Sequence, residues 1–161
     1  MRGDLGGTDI SFGAEAASDL KYWFGSDNPK IARRLSAFAK TGSEGSLAAF
    51  WLADDGSQKI VHMGSGSGST MACVLADDPV DFLRLIAIGY DEICWGSEFA
   101  KMYGEDTEHI IGPNDAFADW VMQTFDVSIP RRGIEIVKSL AFTGDPDSSD
   151  PFWQWVEKVS D

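Results

Sequence analysis

Phe38-Ala-Lys-Thr-Gly-Ser-Glu-Gly-Ser-Leu-Ala-Ala-Phe-Trp-Leu52, Lys59-Ile-Val-His-Met-Gly-Ser-Gly-Ser-Gly-Ser69 and Asp78-Pro-Val-Asp-Phe-Leu-Arg-Leu-Ile-Ala-Ile-Gly-Tyr-Asp-Glu-Ile-Cys-Trp95 follow one another along the chain. In the first stretch Leu47, Ala49 and Trp51 alternate with Ala48, Phe50 and Leu52. Both faces of an extended segment would then be apolar, which predicts a strand at the centre of a sheet. Asp54-Asp55-Gly56 supplies a residue tolerant of positive φ, and Ile60 to Met63 resumes an extended run, so a hairpin is expected. The Gly-Ser run breaks the regularity, and Thr70 to Ala76 restores it as a third strand. Asp78 is then a good N-cap, Pro79 suits the first helical position and Asp81 adds negative charge to the first turn. Phe82, Leu85, Ile86 and Gly89 recur at helical spacing, an apolar stripe that can lie on the sheet, and Gly89 suits close approach of another backbone.

Outside this block the signals are more scattered. Residues 1–13 are rich in glycine and polar groups and read as a loose terminus. Ala14 to Phe24 reads as a short helix with Ala17, Leu20 and Phe24 on one side. Asn28-Pro29 signals a turn or helix start, and Lys30 to Ala39 reads as a helical turn that becomes extended near Phe38. Residues 96–113 are polar and read as irregular. Asn114 suits the cap of a helix in which Phe117, Trp120, Val121 and Phe125 share a face, and Pro130 marks the chain beyond its end. Ile134 to Phe142 carries mixed signals and 144–149 reads as a loop. Asp150-Pro151 repeats the earlier start signal and opens a last helix with Phe152, Trp155, Val156 and Val159 inward. Strands in the middle with helices around them predict an α+β class, a single domain over 1–161 with a central, mostly antiparallel sheet.

The 161 residues are 43% apolar and include 6 Trp and 10 Phe, enough for one aromatic-rich core. The formal charge is −13, which argues against nucleic acid as a direct ligand, because phosphate contacts need clustered Lys and Arg. A basic partner fits better. The acid is uneven: residues 1–90 hold 8 Lys/Arg against 11 Asp/Glu, and residues 91–161 hold 5 against 15, so the second part would dominate any steering. Cys73 and Cys94 show no spacing of a metal knuckle or disulfide framework and read as buried free thiols. The first residues lack the apolar run of a signal peptide, and no segment approaches the length of a membrane span. The cytoplasm is the expected location.

Candidate chemistry is thin. The run Gly64 to Ser69 exposes backbone N–H groups in principle, but it lacks the lysine and following helix of a phosphate loop. It reads as a flexible connection, and no Ser in it sits in a nucleophile elbow. His62 lies within an apolar strand and reads as a hydrogen-bonded histidine rather than a catalytic one; His109, in Glu105-Asp106-Thr107-Glu108-His109, allows only a loose surface metal contact. The acid pairs Asp54-Asp55, Asp77-Asp78, Asp91-Glu92 and Glu105-Asp106 read as a turn, a helix cap and two solvated patches. Together they would suit an acidic face for a cationic protein. No catalytic group and no cofactor or metal is assigned.

The block from Phe38 to Trp95, above all Gly42-Ser43-Glu44-Gly45 leading into Ala49-Phe50-Trp51 and Asp81-Phe82-Leu83 opening the helix, resembles the core of the SUKH superfamily. That resemblance implies an α+β fold and a binding rather than catalytic role. Many members are bacterial immunity proteins that bind and block a toxin, often a nuclease or deaminase, and eukaryotic relatives act in cell-wall regulation through protein contacts. The expected partner is a cognate toxin with a basic surface, with neither nucleic acid nor membrane bound directly. Charge and expected exposure nominate Glu44, Asp54, Asp55, Asp91, Glu92, Glu105 and Asp106 as partner-binding residues. Two other readings stand beside this one: a regulatory or scaffolding module for cellular proteins, and a small hydrolase using a carboxylate pair with His62 or His109.

Overall fold

Leu47–Leu52 forms β3, the middle strand of a five-stranded antiparallel sheet in which β1 to β5 lie side by side in chain order. The computed structural model describes residues 8–13 and 20–160. The strands are β1 Ser11–Phe12, β2 Leu35–Lys40, β3, β4 Gln58–Met63 and β5 Ala72–Ala76. The helices are α1 Leu20–Phe24, α2 Pro29–Ala32, α3 Pro79–Ala87, α4 Asp115–Phe125 and α5 Pro151–Ser160. The molecule is α+β, and its buried apolar residues form one connected cluster.

The two apolar faces of β3 explain the layers. Trp51 meets Phe152 of α5 at 5.4 Å between ring centroids, and Phe24 of α1 packs on Trp155 of the same helix. On the opposite face Phe50 stacks on Phe38 of β2, which meets Phe82 of α3 edge-on. A bulge between Ala37 and Ala39 shifts the β2 register, so Leu35 and Ala37 are paired with Trp51 and Ala49, whereas Ala39 is paired with Ala48. The β3–β4 hairpin turns at Gly56, whose φ is +82°, as its sequence predicts.

The outer edge of β5 is covered rather than left open. Ala72 donates its N–H to the Ala141 carbonyl, Thr143 donates to Thr70, and Val74 donates to a carboxylate oxygen of Asp150. This closes the donors that would otherwise recruit a foreign strand.

Local start signals are realised in each helix they opened. Asn28, Asp78 and Asn114 accept from backbone N–H groups of the first turns of α2, α3 and α4, and Asp150 accepts from Phe152 and Trp153. Cys73 and Cys94 are buried free thiols, and burial pushes the Cys73 thiol up to about 12. His62 is fully buried: its Nδ1–H donates to the Met71 carbonyl and the Thr41 hydroxyl donates to Nε2. Burial pushes its imidazole down to about 4, so it is a neutral core group.

Several expectations need correction. Residues 8–12 are not loose: Ile10 is buried, Ser11 and Phe12 pair with Lys40 and Ala39, and Asp9 donates to the Asp91 carbonyl; residues 1–7 lie outside the described residues. Of the helix expected over Ala14 to Phe24, only Leu20–Phe24 lies within them. The extended part of Lys30 to Ala39 starts at Leu35 rather than near Phe38, and the third strand becomes regular at Ala72, after a bridge between Met71 and Phe142. Within 96–113 a 3-10 turn over Gly96–Ala100 buries Phe99 against Tyr90, so this polar stretch carries part of the core. In α4, finally, the buried residues are Ala118 and Val121, while Trp120 and Phe125 face solvent. The helix is apolar over more of its circumference than its neighbours cover.

Candidate functional site

The seven nominated carboxylates divide into two groups. Glu44, Asp91 and Glu92 are tied into the fold. The segment Gly42 to Ser46 turns back before β3, and Gly42 is required there because a Cβ would lie 2.7 Å from the Cys94 sulfur. In the pocket so formed Glu92 accepts from the Ser43 N–H at 2.8 Å, the Ser43 hydroxyl at 2.7 Å and the Trp95 indole N–H at 2.7 Å. Glu92 is only 6% exposed. Burial by itself would raise its carboxyl, yet these hydrogen bonds outweigh burial and hold it at about 2. Glu44 accepts from the Ser46 N–H, the Ser65 hydroxyl and the Ser69 N–H, which ties down the Gly-Ser run. Here too burial acts upward and the serine hydrogen bonds, acting downward, prevail. Asp91 Oδ1 accepts from the Glu92 N–H and lies 3.2 Å from His109 Nδ1, and the His109 ring stacks on Trp95.

Glu92 and Glu44 therefore do not form the exposed acidic face expected of them, and the Asp91-Glu92 pair is not a solvated patch. These carboxylates join the 42–46 turn, the Gly-Ser run, the 91–95 segment and the 107–109 segment. Cys94 lies 3.6 Å from Glu92, and burial followed by the neighbouring carboxylates pushes its thiol strongly upward, away from the thiolate a nucleophile needs. The Ser43 hydroxyl is already donated to Glu92. The chemistry of this cluster is that of a strut.

A pH prediction follows. A carboxyl lowered from 4.5 to about 2 on folding contributes stability that is complete above the unfolded value and lost as pH falls through the folded one. The Glu92→Gln variant should lose roughly 2 to 3 kcal/mol at neutral pH and show a flatter decline between the two values than the parent chain. Urea unfolding midpoints measured across that acid range check both parts; parallel pH profiles for the two proteins would refute the assignment.

The other four carboxylates are exposed but occupy different elements. Asp54 pairs with Arg34 at 2.7 Å, and Arg34 also donates to the Leu52 carbonyl and lies over the Trp155 ring. Asp55 accepts the Ser57 hydroxyl and N–H, which lower its carboxyl. Glu105 accepts from Met102 N–H and lies 3.5 Å from Arg132, and Asp106 is exposed beside it. No hydrogen bond or ion pair joins the Asp54-Asp55 turn to Glu105-Asp106.

The feature missed in the sequence lies between these positions. Residues 103–126 contain six acids, Glu105, Asp106, Glu108, Asp115, Asp119 and Asp126, and no Lys or Arg. The same stretch exposes Tyr103 by 63%, Trp120 by 49% and Phe125 by 37%. On α4 Phe117 stacks on Trp120 at 5.9 Å, and Trp120 meets Phe125 edge-on at 5.7 Å, so the three rings form a continuous ridge. The charge run is legible in the sequence, but which rings of α4 stay outside the core is set by what packs against the helix.

A groove of about 600 Å³ lies beside the same helix. Its position depends on two glycines. Gly89, at φ +107°, lies so close to Gly112 that a Cβ would sit 2.3 Å from the Gly112 carbonyl carbon. Gly112, at φ +109°, in turn lies under the Tyr103 ring, 2.9 Å from where its own Cβ would be. The loop is thereby pressed onto the end of α3, leaving a trough walled by Tyr103, Met122 and the segment around Pro130.

Among the described residues no group of three or more His, Cys, Asp or Glu is placed to hold a metal ion, and no helix is long and apolar enough to cross a membrane. Compared with known proteins, the chain matches no family model, no curated protein and no solved structure.

Proposed function

We propose that this chain is a protein-binding module that neutralises a basic partner in the cytoplasm, as immunity proteins of the SUKH superfamily do with a cognate toxin. The observation that carries this reading is the ridge in which exposed Trp120 and Phe125 pack with half-buried Phe117, within a stretch of six carboxylates and no Lys or Arg. Large exposed rings anchor protein interfaces because they bury much area at low entropic cost, and surrounding charge selects the partner and speeds encounter. A nuclease that grips phosphate presents the matching basic cleft. Such a partner would meet rings at the centre and carboxylates at the rim.

The test is co-expression with the product of the adjacent gene, scored by rescue of growth. Rescue by the parent chain and its loss in Trp120→Ala, with unfolding midpoint unchanged, is the expected pattern. Loss of that ring should weaken the purified complex by about 2 kcal/mol, some thirtyfold, and the association rate should fall steeply with salt. A locus without any toxin gene, together with capture of housekeeping proteins alone, would instead favour the scaffolding role.

A further inference from the structure

The groove beside α4 has a chemistry distinct from that of the ridge. Its floor is apolar, with Ile88 and Ala118 nearly buried, and one wall carries Asp115 and Asp119, one helical turn apart on the same face of α4. Neither aspartate enters an ion pair among the described residues. Tyr103 stands at the edge, held over Gly112 and 63% exposed, and Arg131 lines the groove as its single cation.

We propose that this groove is the slot for an arginine or lysine side chain of the partner, together with an apolar residue beside it. The proposal rests on the reading that the partner is basic, and it names where that charge is received. A long alkyl stem needs apolar floor and its head needs a carboxylate, which is the order in which the groove offers them. Tyr103 adds a ring at the edge over which a cation is attracted. The volume, about 600 Å³, exceeds one side chain and accommodates the neighbouring residue of an extended segment. Arg131 repels the incoming cation and so confines its head to the aspartate wall.

The probe is the peptide acetyl-Leu-Arg-Leu-amide, titrated into the full ¹⁵N-labelled chain, with the same peptide carrying neutral citrulline for arginine as its control. Amide shifts should move at Tyr103, Ala118, Asp119 and Met122, and citrulline should weaken binding by about fivefold, the worth of one exposed charge pair. Asp119→Asn should weaken the arginine peptide by a similar factor, whereas Arg131→Gln should strengthen it about twofold. Two substitutions with opposite signs cannot both arise from damage to the fold. Equal binding of the two peptides, shifts confined to the Trp120 side of α4 or to the Asp54-Asp55 turn, or no shifts at all would overturn the slot. The two readings fail separately. Growth rescue that needs Trp120 but tolerates Asp119→Asn and Tyr103→Ala would remove the slot and leave the neutralising role; peptide binding in the groove without any rescue would do the reverse.

Discussion

Replacing Gly89 with alanine is expected to lower the unfolding free energy by about 4 kcal/mol, the sum of a left-handed backbone imposed on a β-carbon and overpacking against main chain. The added methyl would lie 2.3 Å from the Gly112 carbonyl carbon, 2.5 Å from its oxygen and 2.6 Å from Pro113 N. These are backbone atoms, so no rotamer change relieves the contact. Gly104→Ala is the control: its φ is +91°, but nothing lies within 4 Å of the added carbon. It should cost only the backbone part, about 1 to 2 kcal/mol. Urea unfolding of both variants measures the difference, and equal losses would show that the contact between the segments around Gly89 and Gly112 is looser than described. Because that contact frames the groove, Gly89→Ala should also weaken the arginine peptide at concentrations where the variant is still folded.

Asp150→Ala should be comparably damaging, again by about 4 kcal/mol, combining a lost helix cap with the loss of charge-assisted hydrogen bonds in the interior. One carboxylate oxygen accepts from Phe152 and Trp153 at 3.0 Å, and the other accepts from Val74 N–H and the Ser139 hydroxyl. Alanine would strand donors on α5 and on the edge of β5 together. Asp78 caps α3 in an exposed position through one contact to Asp81 N–H, so Asp78→Ala should cost only about 1 kcal/mol. Denaturation of the two alanine variants separates the roles. A cost at Asp150 no larger than at Asp78 would mean that the link to Val74 contributes nothing. Hydrogen exchange gives an independent readout: the Val74 amide should lose protection in Asp150→Ala and keep it in Asp78→Ala.

Asp150 also shows where sequence reasoning stops. Its capping role was legible because the two N–H groups it serves lie two and three residues away, while its bond to Val74 spans 76 residues. The segment Gly42-Ser43-Glu44-Gly45 behaves likewise. That it makes a turn follows from its composition, but its fit around Cys94 and the carboxylate of Glu92 depends on a segment 49 residues further along. Acid pairs look alike in a sequence whether solvent or three donors surround them. Charge alone therefore nominates Glu92 and Asp106 together, although one is enclosed and the other exposed. On α4 the rings share a face at helical spacing, and spacing alone does not say whether that face is covered. Here Ala118 and Val121 fill the space available, and Trp120 is left outside.

The central strand, the hairpin at Gly56 and the starts of α2 to α5 were determined by the amino-acid sequence itself, since each depends on backbone preferences and hydrogen bonds within a few residues. Only the tertiary structure decided which carboxylates are struts and which face solvent, which aromatic rings form an exposed ridge, and that a trough opens beside α4. Burial is settled by what the rest of the chain brings alongside a side chain, and that neighbourhood exists only once the sheet and its helices have closed on one another.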